Sequence, residues 1–161
     1  GEHNKTRETK EEIEDKLFKA DFNKESSLIG LGGGVVTDIT GFIASTFCRG
    51  VPLILIPTTL LGMVDASIGG KNGVNTPWGK NLIGTIYHPK EIVIDLKFLE
   101  TLPEKEIRQG LAEMVKHGFL NKDYLNLLLK EKINEKTILE SRRVKEEWIV
   151  KDRDALNFGH T

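Results

Sequence analysis

Ser27-Leu28-Ile29-Gly30-Leu31-Gly32-Gly33-Gly34-Val35-Val36-Thr37-Asp38 is the stretch that decides the fold. Its first half is a short apolar run, the pattern of a buried strand. Three glycines follow, and then Val35 to Phe47, where Ile39, Phe42, Ile43 and Ala44 recur at helical spacing. A strand that passes through glycines straight into a helix opens an α/β unit. Glycine there lets backbone N–H groups approach a phosphate, and the helix N-terminus favours its negative charge. The full dinucleotide fingerprint is not met, because Thr37 occupies the third glycine position. A tight strand–helix turn without a ligand has the same pattern. Asp38 fits either a helix-start acid or a contact to a bound nucleotide.

Working outward, residues 6–20 read as an amphipathic helix capped by Thr6 or Thr9, with Ile13, Leu17 and Ala20 on one face. Leu53 to Pro57 is a second apolar strand, after which Thr58 to Leu61 turns out of it. Gly69 to Gly84 reads as loops or a hairpin, and Ile92 to Asp95 as a third strand. From Pro103 to residue 152 the periodicity is helical, with a break near Gly118 to Asp123. Strand–helix alternation followed by helices alone predicts an α/β domain, residues 1–100, leading into a helical domain, 101–161. Lys130 to Lys136 reads as a solvated helix face or loop.

The 161 residues carry 39% hydrophobic and 29% charged side chains, a globular composition. A net charge of −1 argues against a nucleic-acid or membrane-surface binder. The single cysteine, Cys48, permits no disulfide within the chain and fits a reducing, cytoplasmic compartment. No apolar run has the length of a membrane span, and residues 1–20 are too polar for a secretory signal. The ends read as cut: Gly1-Glu2-His3 follows no strand, and Asn157 to Thr161 is a Gly/His cluster with nothing after it.

Three further groups carry chemistry. Pro57-Thr58-Thr59 lies at the C-terminal end of a strand, the edge at which open parallel sheets bind ligands; a simple helix cap is equally consistent. Asp65, Lys71, Asn75, Lys80 and Asn81 fall in one glycine-rich stretch, which suits a phosphate or carboxylate but also an ordinary polar loop. Glu113 and His117 are four apart and share a helix face, which invites a metal reading or a structural hydrogen bond. His160, flanked by glycine, is a ligand candidate; His3 and His88 read as surface residues.

Taken together, eight strings in order resemble the 3-dehydroquinate synthase family. They are Gly-Glu-His-Asn-Lys (1–5), Gly-Gly-Gly-Val-Val-Thr-Asp (32–38), Arg-Gly-Val-Pro (49–52), Pro-Thr-Thr-Leu-Leu (57–61), Val-Asp-Ala-Ser-Ile-Gly-Gly-Lys (64–71), Gly-Lys-Asn-Leu-Ile-Gly (79–84), Gly-Leu-Ala-Glu-Met-Val-Lys (110–116) and Leu-Asn-Phe-Gly-His-Thr (156–161). The resemblance implies a Rossmann-like NAD-binding domain followed by a mostly helical metal- and substrate-binding domain. It implies a lyase of the shikimate pathway that closes 3-deoxy-D-arabino-heptulosonate 7-phosphate into 3-dehydroquinate. The implied steps are transient oxidation by NAD, phosphate elimination, re-reduction and aldol closure, with a divalent metal, zinc or cobalt.

By the same resemblance, NAD contacts fall on Glu2, Lys5, Gly33, Gly34, Val35, Asp38, Thr58, Thr59, Lys71, Lys80, Phe98 and Thr101. Substrate contacts fall on Asp65, Lys71, Asn81, Lys116, Lys145, Arg153 and Asn157. Arg49 is implied to reach a neighbouring subunit's substrate phosphate, and hence a homodimer. Glu113 and His160 are implied as two metal ligands, with a third histidine beyond Thr161 and His117 at a position usually aromatic. Thr37 and Asn72 depart from a common glycine and threonine. The stretches from Lys116 to Lys145 and from Lys145 to Arg153 are shorter than the family pattern, so Lys145 and Arg153 are matched by local motif. Two alternatives stand beside this reading: a related sugar-phosphate cyclase, and a catalytically silent NAD-binding module, the expected behaviour of these 161 residues expressed alone.

Overall fold

The computed structural model describes residues 1–159, apart from the side chain of Arg153. The chain forms two compact units, Gly1–Pro57 with Gly70–Val93, and Thr58–Gly69 with Ile94–Thr161.

In the first unit, α1 (Arg7–Lys19) begins at Thr6, whose hydroxyl accepts the Thr9 N–H at 3.2 Å. Then follow β1 (Leu28–Gly32), α2 (Gly34–Thr46), β2 (Leu53–Pro57), β3 (Lys71–Thr76), β4 (Gly79–Ile86) and β5 (Glu91–Ile92). Strands β1, β2 and β5 pair in that order, all parallel. Parallel neighbours need a crossover, and α2 supplies it between β1 and β2. The predicted inward face of α2 is the one observed: Ile39, Phe42, Ile43 and Ala44 are buried with Leu28, Val51, Leu53 and Leu55. The third strand is shorter than Ile92 to Asp95. The last bridge pairs Leu55 with Ile92, the Val93 N–H still donates to the Leu55 carbonyl at 2.9 Å, and Asp95 accepts the Lys97 N–H at 2.9 Å to start a 3-10 turn, Leu96–Leu99.

The glycine-rich stretch is an antiparallel hairpin, β3 with β4, irregular between Val74 and Thr76. β3 lies against α2 at Gly41, where an added Cβ would sit 1.8 Å from Asn72 Oδ1. The Asn72 amide donates to the carbonyls of Gly70 (2.7 Å) and Tyr87 (3.0 Å), so its N–H groups tie the hairpin's two ends together.

The second unit contains a π-helical turn, Gly62–Ala66, then α3 (Glu104–Leu120), α4 (Lys122–Leu128), α5 (Glu135–Lys151) and a 3-10 turn, Arg153–Asn157. The predicted break falls at Asn121, whose side chain accepts the Tyr124 N–H at 3.0 Å and so caps α4. A second interruption ends at Asn134, where Asn134 and Thr137 form a reciprocal capping box. Leu60, Met63, Val64, Met114, Tyr124, Ile138 and Val144 make the core. Gly110 lets α3 pass against the Leu60–Leu61 turn, since a Cβ there would meet Leu60 Cγ at 2.5 Å and Leu61 N at 2.7 Å. No helix among the described residues is long and apolar enough to cross a membrane.

Candidate functional site

The candidate residues divide between the two units. In the first, Lys5 is almost fully buried at 4% exposure, an unusual place for lysine unless it is paired. Its ammonium pairs with Asp38 on the first turns of α2 and donates to Asn81 Oδ1 at 2.5 Å. Its backbone carbonyl accepts the Asn75 N–H at 2.7 Å, which fixes the N-terminal segment onto β3. Asn75 in turn accepts the Asn81 N–H at 3.1 Å and donates its amide to Glu2 Oε1 at 2.8 Å. Lys80 Nζ lies 3.8 Å from the same Glu2 oxygen, both side chains well exposed. Asn81 adopts a left-handed φ of 56°, a conformation asparagine tolerates better than most residues.

Glu2, Lys5, Asp38, Lys80 and Asn81 are therefore one polar network, and Asn75 is its hub. The loop composition singled out Asn75, whereas the family resemblance passed over it. Gly33 is the N-cap of α2 with no side chain in the way, and Gly34 and Val35 form the first turn below Asp38. Thr37, at the third glycine position, is buried and turns its hydroxyl back to the Gly34 carbonyl at 2.9 Å. Lys71, at the start of β3, is exposed, as is Arg49, which has φ 68° directly after Cys48 at φ 50°.

In the second unit, Thr59 Oγ1 accepts the Gly62 N–H at 3.0 Å, so one hydroxyl of the Thr58-Thr59 pair acts as a cap. Phe98 packs on the core and Thr101 is exposed. The densest chemistry lies where the π-helical turn meets α3 and α5. Lys145 Nζ reaches Asp65 Oδ1 at 2.8 Å and also donates to the carbonyls of Asp65 (2.5 Å) and Ile68 (3.1 Å). Lys116 pairs with Glu113 one turn earlier and donates to the Leu156 carbonyl at 3.1 Å. Both lysines are at least nine-tenths buried.

His117, wholly buried, hydrogen-bonds through Nδ1 to Ser141 Oγ at 2.8 Å, while its Nε2 has no hydrogen-bond partner among the described residues. Burial works against the Asp65 carboxylate, but Lys145, Lys116 and His117 outweigh it and hold the group below its usual range. Burial lowers Lys145 more than Asp65 raises it. Burial, only partly offset by Asp65 and reinforced by Lys116 and Lys145, lowers His117 to about 4, so its imidazole is neutral near pH 7. Ligand atoms of Asp65, Glu113 and His117 all lie within 4.8 Å of one another. Two carboxylates and a neutral imidazole are a fitting donor set for a divalent ion, and the orphaned Nε2 is the atom such an ion would satisfy.

Asn157 is exposed in the last 3-10 turn; His160 and the side chain of Arg153 lie outside the described residues. Sequence reasoning missed Ser141 and Arg142. Ser141 is one turn before Lys145 on α5, and Arg142 donates to the Met63 carbonyl at 2.9 Å. The i, i+4 spacing from Ser141 to Lys145 was the available signal.

A family model described as 3-dehydroquinate synthase N-terminal matches residues 1–109. The chain belongs to the 3-dehydroquinate synthase family. Over its whole length it is 46% identical to the 3-dehydroquinate synthase of Sulfurovum sp. (strain NBC37-1), of which it covers 49%. It thus spans about half the length of the curated relatives it matches. The 2-epi-5-epi-valiolone synthase of Streptomyces hygroscopicus subsp. jinggangensis 5008, solved with NAD+ and Zn2+ bound, is 31% identical; the match covers 99% of this chain and 50% of that one with TM-score 0.83. A 2-deoxy-scyllo-inosose synthase shares the fold at TM-score 0.86 and 24% identity, over 99% of this chain and 48% of that one. The family's α/β architecture, with a parallel sheet and flanking helices, is the one predicted from Ser27 to Asp38.

Proposed function

We propose that this chain carries the NAD-binding and much of the substrate-binding surface of a 3-dehydroquinate synthase, a cytoplasmic homodimer. The whole protein would convert 3-deoxy-D-arabino-heptulosonate 7-phosphate to 3-dehydroquinate and phosphate. The observation that carries this is the pair of buried lysines: Lys116, held by a carboxylate and one backbone carbonyl, and Lys145, held by a carboxylate and two. Preorganised ammonium groups suit a substrate that bears both phosphate and carboxylate. The 46% identity to a 3-dehydroquinate synthase, against 31% to a valiolone synthase, favours the carboxylated substrate over those of other sugar-phosphate cyclases.

In this reading Glu2, Lys5, Gly33, Gly34, Val35, Asp38, Thr58, Thr59, Lys71, Lys80, Phe98 and Thr101 bind NAD, which supplies a reversible hydride acceptor. Lys5 orients Asp38, and Gly33 leaves the α2 N-terminus open to an anion. Asp65, Lys71, Asn81, Lys116, Lys145, Arg153 and Asn157 bind the sugar acid, and Arg49 serves a neighbouring subunit. Glu113 and His160 would help to hold a divalent metal, which when bound supplies Lewis-acid polarisation of the reacting oxygens.

The test is release of inorganic phosphate from the heptulosonate phosphate by the protein that contains this chain, with NAD and zinc or cobalt. Phosphate release that chelation abolishes is expected. NAD binding without any phosphate release would leave a silent cofactor-binding module instead.

A further inference from the structure

We propose that Asn75 is a positioning residue that sets the nucleotide and substrate contacts of the first unit at once, fixing Glu2 for NAD and Asn81 for the sugar acid. The proposal rests on the ligand assignments of the proposed function and adds a residue that those assignments leave out.

The hairpin delivers Asn75 to this place. Val74 pairs with Ile83 and Thr76 with Gly79, so Asn75 alone faces Lys80, Asn81 and Leu82. Interruptions of this kind release backbone groups from the ladder and re-aim side chains, and they recur beside active sites. Here the Asn75 N–H turns to the Lys5 carbonyl at 2.7 Å, and the Asn81 N–H turns to Asn75 Oδ1 at 3.1 Å. Asn81 adopts its left-handed φ of 56° at this point.

The partners fix the orientation of each amide. A carboxylate only accepts hydrogen bonds and a backbone N–H only donates. Asn75 lies between one of each: its NH2 goes to Glu2 Oε1 at 2.8 Å and its oxygen to the Asn81 N–H. Aspartate lacks the donor and leucine lacks both groups, so the place requires asparagine. Lys80 supports Glu2 less, since its Nζ is 3.8 Å away and both side chains are well exposed. The short, charge-assisted bond to Glu2 comes from Asn75. On the other side, the Lys5 ammonium is a pure donor and takes Asn81 Oδ1 at 2.5 Å. The exposed Asn81 is thereby left with its NH2 to offer, the polarity that suits an oxygen of a phosphorylated acid.

Phosphate release by the protein that contains this chain tests this, with NAD and the heptulosonate phosphate varied in turn and the NAD constant measured independently by calorimetry. Asn75→Ala removes both arms and is expected to raise the NAD constant ~10-fold, for a lost charge-assisted bond, and the sugar-phosphate constant several-fold. Asn75→Asp keeps the acceptor for Asn81 but sets a carboxylate against Glu2. With added salt to screen the new charge, it is expected to raise the NAD constant as much as Asn75→Ala does and the sugar-phosphate constant much less. A merely structural role would lower the melting temperature and the active fraction while leaving both constants unmoved, and that result overturns the proposal. So does a sugar-phosphate constant that rises as far in Asn75→Asp as in Asn75→Ala. If the unaltered protein binds NAD but releases no phosphate, the proposed function fails, and the NAD affinities of the two variants still decide whether Asn75 orders Glu2.

Discussion

The two units solve the same problem, a buried lysine, in different ways. In the first, Lys5 meets one carboxylate and one amide, and Asn75 and Glu2 complete the circuit. Asp38 is only partly buried and Asn81 is exposed, so water can serve either group when a partner is lost. In the second, Lys116 and Lys145 pair with Glu113 and Asp65 beside His117, and a ring nitrogen is left over. The first arrangement ties the N-terminal segment to α2 and the β3–β4 hairpin. The second is strained by burial and has unused bonding capacity, the condition expected of a site that binds something. Substitutions should therefore cost more in the second unit than in the first.

The largest effect is expected from Lys145→Met. It removes the cation that opposes the burial of Asp65 and leaves two carbonyls without their donor. Breaking one side of a buried pair costs about 3–5 kcal/mol, and urea unfolding of the metal-free chain should show a loss of that order. Asp65→Asn, which keeps a hydrogen-bonding group opposite Lys145, should cost less. Equal losses in the two variants would mean that packing of the lysine stem, rather than charge, dominates.

Acid should discriminate next. The folded state holds His117 neutral down to about pH 4, while the unfolded chain protonates near 6.5. Between those values the unfolded state binds the extra proton, so stability is fully present above about 6.5 and falls as the pH drops toward 4. The full swing is about 3 kcal/mol at ~1.4 kcal/mol per pH unit. Asp65, held below its usual range, adds its own loss only at lower pH still. Stability of the metal-free chain measured from pH 7.5 to 4.5 should show this slope, and His117→Gln should flatten it. A slope that survives that substitution would place the titrating group elsewhere.

How much of this was legible follows the same divide. The first unit was readable because its signals are local: an apolar run, three glycines and a 3.6-residue period lie within Ser27 to Phe47, and eight ordered strings name the family. Even there, β5 came out shorter than Ile92 to Asp95: its last pairing is Leu55 with Ile92, and Asp95 caps the following 3-10 turn. The second unit was legible as helices but not as a cluster. Glu113 and His117 share a face by spacing, yet Asp65 and Ser141 come to them from 48 residues before Glu113 and 24 after His117, and no local pattern announces such a meeting. The resemblance carried residue roles only where motifs matched, and it set His117 aside because the family position is usually aromatic.

A smaller effect is expected from Lys5→Met. Asp38 and Asn81 both reach water, so the loss should be about 1–2 kcal/mol, below that of Lys145→Met. Under the proposed function the same variant should weaken NAD binding by calorimetry, because Asp38 loses its orienting partner. A stability loss as large as that of Lys145→Met would mean that the two units do not differ in how they tolerate the loss of a buried cation.

The smallest effects separate the units by their caps. Asn134 starts α5 with a reciprocal capping box, accepting the Thr137 N–H at 2.9 Å and donating its own N–H to Thr137 Oγ1 at 2.9 Å. Thr6 starts α1 with one longer bond of 3.2 Å to Thr9. Helix α1 buries none of its residues, so fraying there releases little packing; α5 carries Ser141 and Lys145 toward the cluster and buries Thr137, Ile138, Ser141, Val144 and Lys145. Asn134→Ala should therefore cost about 1 kcal/mol, and Thr6→Ala about half that. Hydrogen exchange adds the sharper contrast. Loss of the Asn134 cap should speed exchange in the first turn of α5, upstream of Ser141. Loss of the Thr6 cap should speed exchange in the first turn of α1 alone, and faster exchange in α5 in both variants would mean that the helix responds to overall stability rather than to its own cap.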